Sequence, residues 1–109
     1  MAITELVVHR DTARVLIDAT LEWGHAKGIM DNGDATRQAL KMVSEVGEFV
    51  DELLKGDMEK AKMEMGDILV TCILTSAKAG FDVEDALAAA YDKISKRTGK
   101  TVNGVFVKD

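Results

Sequence analysis

Apolar residues return at spacings of three and four along four stretches of the chain, the period of a helix that buries one face. The first stretch runs from about Thr4 to Ala26, with Leu6, Val7, Ala13, Leu16, Ile17 and Leu21 as its stripe. The second runs from about Thr36 to Leu54, where Ala39, Met42, Val43, Val46, Phe49, Val50 and Leu53 share a face. Between them GIMDNGD (28–34) carries turn chemistry. At Lys55-Gly56-Asp57 the glycine ends one helix and Asp57 caps a third, which continues to about Ala79 before Gly80 stops it. A fourth opens near Asp82 and runs to about Thr98. The tail, KTVNGVFVKD (100–109), breaks the helical period: Asn103-Gly104 between Thr101-Val102 and Val105-Phe106-Val107 predicts a type I′ hairpin. Two strands alone are marginal in water, so the hairpin needs a helix face or another subunit to lean on. The pattern predicts an all-α fold, an antiparallel four-helix bundle with a short C-terminal β-hairpin or extended tail, as one domain over residues 1–109.

The second helix carries a concentration of acids, Glu45, Glu48, Asp51 and Glu52. Like charges three and four apart repel by a few tenths of a kcal/mol per pair. Either these acids form a solvated face, or a cation sits among them. The turn at Gly56 folds the second and third helices back on each other, bringing residues equidistant from it level. Glu48 is eight residues before Gly56 and Glu64 eight after, while Glu45 and Asp67 stand eleven away on either side. At about 1.5 Å of rise per residue the two pairs come level ~12 and ~16 Å from the turn. Glu45-x-x-Glu48 can therefore face Glu64-x-x-Asp67 as a cage of four carboxylates. The stretch MGDILVTCILTSA (65–77) is apolar or small nearly all round, with Asp67 its only charge, and Glu64 shares a stripe with Ala61, Ile68 and Cys72. The pattern predicts a buried helix, in which ionised carboxylates cost several kcal/mol each unless paired or bound to metal. An all-oxygen set suits hard cations, Mg²⁺ first and Mn²⁺ as a substitute. The chain holds a single Glu-x-x-His, Glu22 to His25, whereas a di-iron bundle requires two, and His9 follows no glutamate at that spacing. Asp51 and Glu52 are expected mostly at the surface. Lys41, one turn before Glu45, is expected to pair with it.

Composition narrows the class. The 109 residues carry a net charge of -5, which leaves no basic surplus for phosphate backbones and argues against a nucleic-acid binder. Cys72 is the single cysteine, without an internal disulfide partner and in keeping with a reducing cytosol; it reads as a small buried hydrophobe. The N-terminal stretch is interrupted by charges and is no signal peptide, and the longest apolar run, ILVTCIL, falls far short of a membrane span. A cytoplasmic setting is expected. Met42, Met58, Met63 and Met65 read as filler in a core or between subunits.

The segments QALKMVSEVGEFVDEL (38–53) and KMEMGDILVTCILTSAKAG (62–80) resemble the MazG-like branch of the all-α nucleoside triphosphate pyrophosphohydrolases. That superfamily's signature, E-x-x-E followed by E-x-x-D, falls here on Glu45, Glu48, Glu64 and Asp67. The resemblance extends from Trp23 to the tail, whose RTGKTVNGVFVKD is similar to small phage and bacterial members. Two positions depart from the pattern: Ser44 stands where many members carry a further acid, and Asp92 where members often carry asparagine.

The resemblance implies Mg²⁺-dependent hydrolysis of a nucleoside triphosphate, in the first instance a dNTP, to monophosphate and pyrophosphate. The four acids would hold the metal, and Glu48 would orient or deprotonate the attacking water. Cations for the leaving pyrophosphate are expected at the end of the fourth helix and beyond it: Lys93 and Arg97, one turn apart, then Lys96 and Lys100. A charged helix C-terminus accounts for the same residues without a ligand. Trp23, with Gln38 and Asn32 as polar neighbours, is the candidate surface for the base. Two other readings remain: a non-catalytic helical dimerisation or regulatory module, and a phosphoribosyl-ATP pyrophosphohydrolase, which demands more basic contacts than the chain can place. Members of the family are dimers or tetramers, so a homodimer or homotetramer is expected.

Overall fold

A computed structural model describes residues 12–31 and 34–109. Four helices follow in order: α1 (Thr12–Ala26), α2 (Ala35–Lys55), α3 (Met58–Lys78) and α4 (Val83–Ile94). Strands β1 (Gly99–Val102) and β2 (Val105–Lys108) close the chain. The expected start of the first helix at Thr4, its Leu6 and Val7, and both His9 and Asn32 lie outside the described residues.

Local chemistry sets each boundary. Asp34 caps α2 by accepting from the Arg37 amide, and Asp57 caps α3 by accepting from the Lys60 amide. Gly56, at φ 77°, ends α2: its N–H donates to the Leu53 carbonyl and that of Asp57 to the Glu52 carbonyl. That pair of bonds is a Schellman motif, and it needs a residue free to adopt the left-handed region. The same two bonds close α3 at Gly80, where the amides of Gly80 and Phe81 donate to Ala77 and Ser76. The result is the tight antiparallel α2–α3 hairpin the sequence predicts. Asp82 caps α4 and also receives two bonds from Arg14 of α1, at 2.8 and 2.9 Å. The Glu84 amide first and the Arg14 guanidinium second hold the Asp82 carboxyl below its usual range.

α3 is the central element. It packs most extensively against α2 and also contacts α1 and α4. Gly24 of α1 is buried against Leu74, and the ammonium of Lys78 donates to the Ile29 carbonyl at 2.6 Å, pinning the turn after α1 to the end of α3. Of the expected α1 stripe, Ile17 and Leu21 turn inward, while Ala13 and Leu16 are exposed.

Two expectations are corrected. The fourth helix ends at Ile94 instead of near Thr98, because Lys96 and Arg97 tighten into a turn and the strand begins at Gly99. The third helix is not covered all round. Its second half is buried or half-buried, but Met65, Gly66, Asp67 and Leu69 are exposed, since α1 reaches only the far end of α3. The hairpin is formed as predicted, with Asn103 at φ 51° and Gly104 at φ 79° making the I′ turn and Val102 opposite Val105.

Candidate active site

The facing acids occupy one flank of the α2–α3 hairpin. One carboxylate oxygen from each of Glu45, Glu48 and Glu64 lies within 4.8 Å of the other two. Glu45 and Glu64 are half-buried, and Glu48 is exposed. Asp67 stands outside this trio, exposed, one turn beyond Glu64. The registry argument about Gly56 thus places Glu48 and Glu64 together, with Glu45 joining them.

Electrostatics make the trio costly in the absence of a cation. Oε2 of Glu64 is buried without a hydrogen-bond partner. Burial pushes the Glu64 carboxyl up from 4.5 to about 7, with Glu48, then Glu45 and Asp67, adding to the shift. A carboxyl that retains its proton in the fold and releases it on unfolding favours the fold at low pH. The metal-free protein is therefore expected to be most stable below pH 4.5 as far as this group is concerned, and to lose that contribution as pH rises through about 7. Melting temperatures in chelator at pH 5.5 and pH 8 check the sign. Divalent ion added at pH 8 is expected to restore what deprotonation removes.

Beside the acids opens a cavity of about 440 Å³, lined by Trp23, Gln38, Lys41, Glu45, Asp67 and Leu74 among others. Trp23 is 48% exposed, its ring available at the rim. Two of the three residues expected at a base, Trp23 and Gln38, thus share one cavity with two of the four acids. Lys41 is the residue the sequence placed wrongly. It makes no ion pair with Glu45 among the described residues, because Lys-before-Glu is the poorer order at i,i+4 and Glu45 turns toward α3. It lines the cavity, without an ion pair among the described residues. The signal was its position one turn before Glu45 on the acid-bearing side of α2.

The other candidates lie elsewhere. Lys93, Arg97 and Lys100 are exposed and line neither this cavity nor the one beside Phe81. Lys96 is held by Asp92 at 3.2 Å, so the departure at Asp92 occupies one of the expected phosphate cations. Asp51 is exposed as expected, but the side chain of Glu52 is only 16% exposed and pairs with Lys55. Cys72 is half-buried against the Met42 sulfur, and burial raises its thiol pKa, which makes it a poor nucleophile. His25 is exposed at the end of α1.

No described helix is long and apolar enough to cross a membrane. No curated protein and no solved structure matches the chain. A family model for the MazG nucleotide pyrophosphohydrolase domain matches residues 35–102, which span α2, α3, α4 and all four acids and leave α1 with Trp23 outside. Covering well over half the chain and centred on the hairpin that gathers the carboxylates, that match makes this protein a member of the MazG family, a nucleoside triphosphate pyrophosphohydrolase.

Proposed function

We propose that the enzyme hydrolyses a nucleoside triphosphate, in the first instance a dNTP, between the α and β phosphorus atoms, with Mg²⁺ held by Glu45, Glu48, Glu64 and Asp67 and Mn²⁺ as a substitute. The observation that carries the reading is the carboxylate trio, within 4.8 Å, with Glu64 Oε2 buried and unbonded. An orphaned buried carboxylate oxygen among three acids fits a hard divalent cation. When bound, such an ion supplies Lewis acidity at the α-phosphorus and cancels the charge that would keep a triphosphate from four acids.

The chain's own residues account for the remaining work. Glu48, the solvent-facing member of the trio, orients water and accepts its proton. The water oxygen bonds to the α-phosphorus, the bond from that phosphorus to the bridging oxygen breaks, and pyrophosphate leaves with the electron pair. Lys93, Arg97 and Lys100, with Lys96 more weakly because Asp92 holds it, neutralise the leaving pyrophosphate. Lys41 contributes a further cation from the cavity side. Trp23 stacks on the base, with Gln38 and Asn32 as polar contacts. Self-association into a dimer or tetramer belongs to the same reading.

A screen for pyrophosphate release over standard and damaged (d)NTPs, with and without Mg²⁺, tests it. Turnover is expected only with Mg²⁺ or Mn²⁺. Trp23→Ala is expected to raise KM about tenfold with little change in kcat, since stacking is worth ~1–3 kcal/mol and does not change along the reaction. A non-catalytic helical module predicts no pyrophosphate from any nucleotide and no effect of Mg²⁺ on melting, and that pair of results would overturn the proposal.

A further inference from the structure

The cavity beside the hairpin holds one cation between the residues expected at the base and the clustered glutamates. Helix α2 sets them in a row. Gln38, Lys41 and Glu45 succeed one another at spacings of three and four, so they share one stripe and climb about 10 Å along the axis from first to last. All three line the cavity, and Glu45 also belongs to the carboxylate trio. Of the two cavities described, this one alone has a basic residue in its lining. Lys41 is exposed and makes no ion pair among the described residues, although Glu45 and Asp67 line the same space.

We infer that Lys41 binds the α-phosphate, the phosphoryl group that stays with the nucleoside, and that the monophosphate is for this reason the last product to leave. The inference rests on the proposed function for the places of base and metal. A nucleotide carries the same order as the row on α2: base, sugar, α-phosphate, then the two phosphates that depart. With the base against Trp23 and Gln38 and the α-phosphorus at the acids, a cation one turn short of Glu45 meets the non-bridging oxygens of the α-phosphate. Lys93, Arg97 and Lys100 line neither cavity, which leaves them to the other end of the triphosphate. A lysine suits the position, because its flexible stem delivers a point charge with three donors. Charge then ranks product above substrate. Within the triphosphate the α-phosphoryl group carries a single negative charge, but as a monophosphate it has a second pKa of about 6 and approaches two charges at neutral pH. The contact with Lys41 therefore strengthens once the bond to pyrophosphate has broken. Pyrophosphate, held by residues outside the cavity, leaves first.

Trp23 is the single tryptophan of the chain and lines the same cavity, so its fluorescence reports occupancy without any turnover. The probes are the four deoxynucleoside monophosphates in Mg²⁺, each beside the deoxynucleoside that lacks the phosphate. Lys41→Met is expected to weaken the best-bound monophosphate at least about tenfold, the loss of a hydrogen bond to a charged group, and to leave its deoxynucleoside within about twofold. Lys41→Arg is expected to recover most of that loss. Because Lys41 is exposed, the fold is expected to survive its replacement, which a melting curve checks. In turnover, the monophosphate is expected to inhibit competitively against the triphosphate and pyrophosphate noncompetitively, with Lys41→Met raising the inhibition constant of the monophosphate alone. Competitive inhibition by pyrophosphate in place of the monophosphate overturns the release order. Unchanged monophosphate affinity in Lys41→Met, or an equal loss for monophosphate and deoxynucleoside, overturns the role of Lys41 and leaves the proposed function standing. A parent that binds no monophosphate overturns it as well, and the triphosphate screen then shows whether the proposed function falls with it.

Discussion

Glu64→Gln is expected to abolish Mg²⁺-dependent pyrophosphate release, by at least ~100-fold, while raising the melting temperature of the metal-free protein. The two effects have one cause. Glu64 is the acid whose carboxylate oxygen is buried without a partner and whose pKa is pushed up to about 7, so at pH 8 the fold holds a charge it cannot solvate. Glutamine keeps the shape and removes the charge, relieving the repulsion with Glu48 and Glu45. It also removes the ligand that the proposed ion requires, because a neutral amide oxygen is a far weaker donor to a hard cation. Melting in chelator and in Mg²⁺ separates the two: the parent is expected to gain stability with Mg²⁺ at pH 8, the variant to gain little. Glu48→Gln serves as the comparison. Glu48 is exposed, so its replacement should cost turnover without the same gain in metal-free stability. A folded Glu64→Gln protein with undiminished turnover would remove Glu64 from the site.

The site was legible in the sequence to the extent that it depended on a turn. Gly56 and Asp57 announce where α2 stops and α3 starts, and counting outward from them pairs Glu48 with Glu64. Asn103-Gly104 fixes the hairpin register in the same way, through backbone conformations that few residues adopt. What depended on distant packing was harder to read. The apolar run from Met65 to Ala77 reads as buried on every side because composition alone does not say which neighbours cover a helix, and α1 reaches only the second half of α3. Lys41 shows the limit of local pairing rules. Sequence distance offered Glu45 as its partner, but the two line one cavity without pairing, and Glu45 gathers with Glu48 and Glu64 instead. The extra turn assigned to α4 has a similar cause, since Lys96 and Arg97 are good helix formers and only the strand beginning at Gly99 ends the helix before them.

Leu74→Ala is expected to cost about 2–5 kcal/mol of unfolding free energy, the largest stability effect of any single truncation among the described residues. Leu74 is 1% exposed and lies where α3 meets Gly24 of α1. A methyl group added at Gly24 would approach the Leu74 Cδ2 to 2.6 Å, which shows how closely the two helices are packed there. Such a contact does not collapse around a smaller side chain, so truncation loses both the transfer free energy and the dispersion contacts of a cavity that stays open. Against the 5–15 kcal/mol typical of whole domains, that is a large share. The same side chain lines the cavity that holds Trp23, so loosening α1 also loosens the proposed base surface. Urea titration of parent and variant at one protein concentration measures the loss. Gly24→Ala approaches the same contact from the other side: overpacking is expected to cost about 1–3 kcal/mol. If Leu74→Ala cost less than about 1 kcal/mol, the α1–α3 contact would not be what holds α1, and with it Trp23, in place.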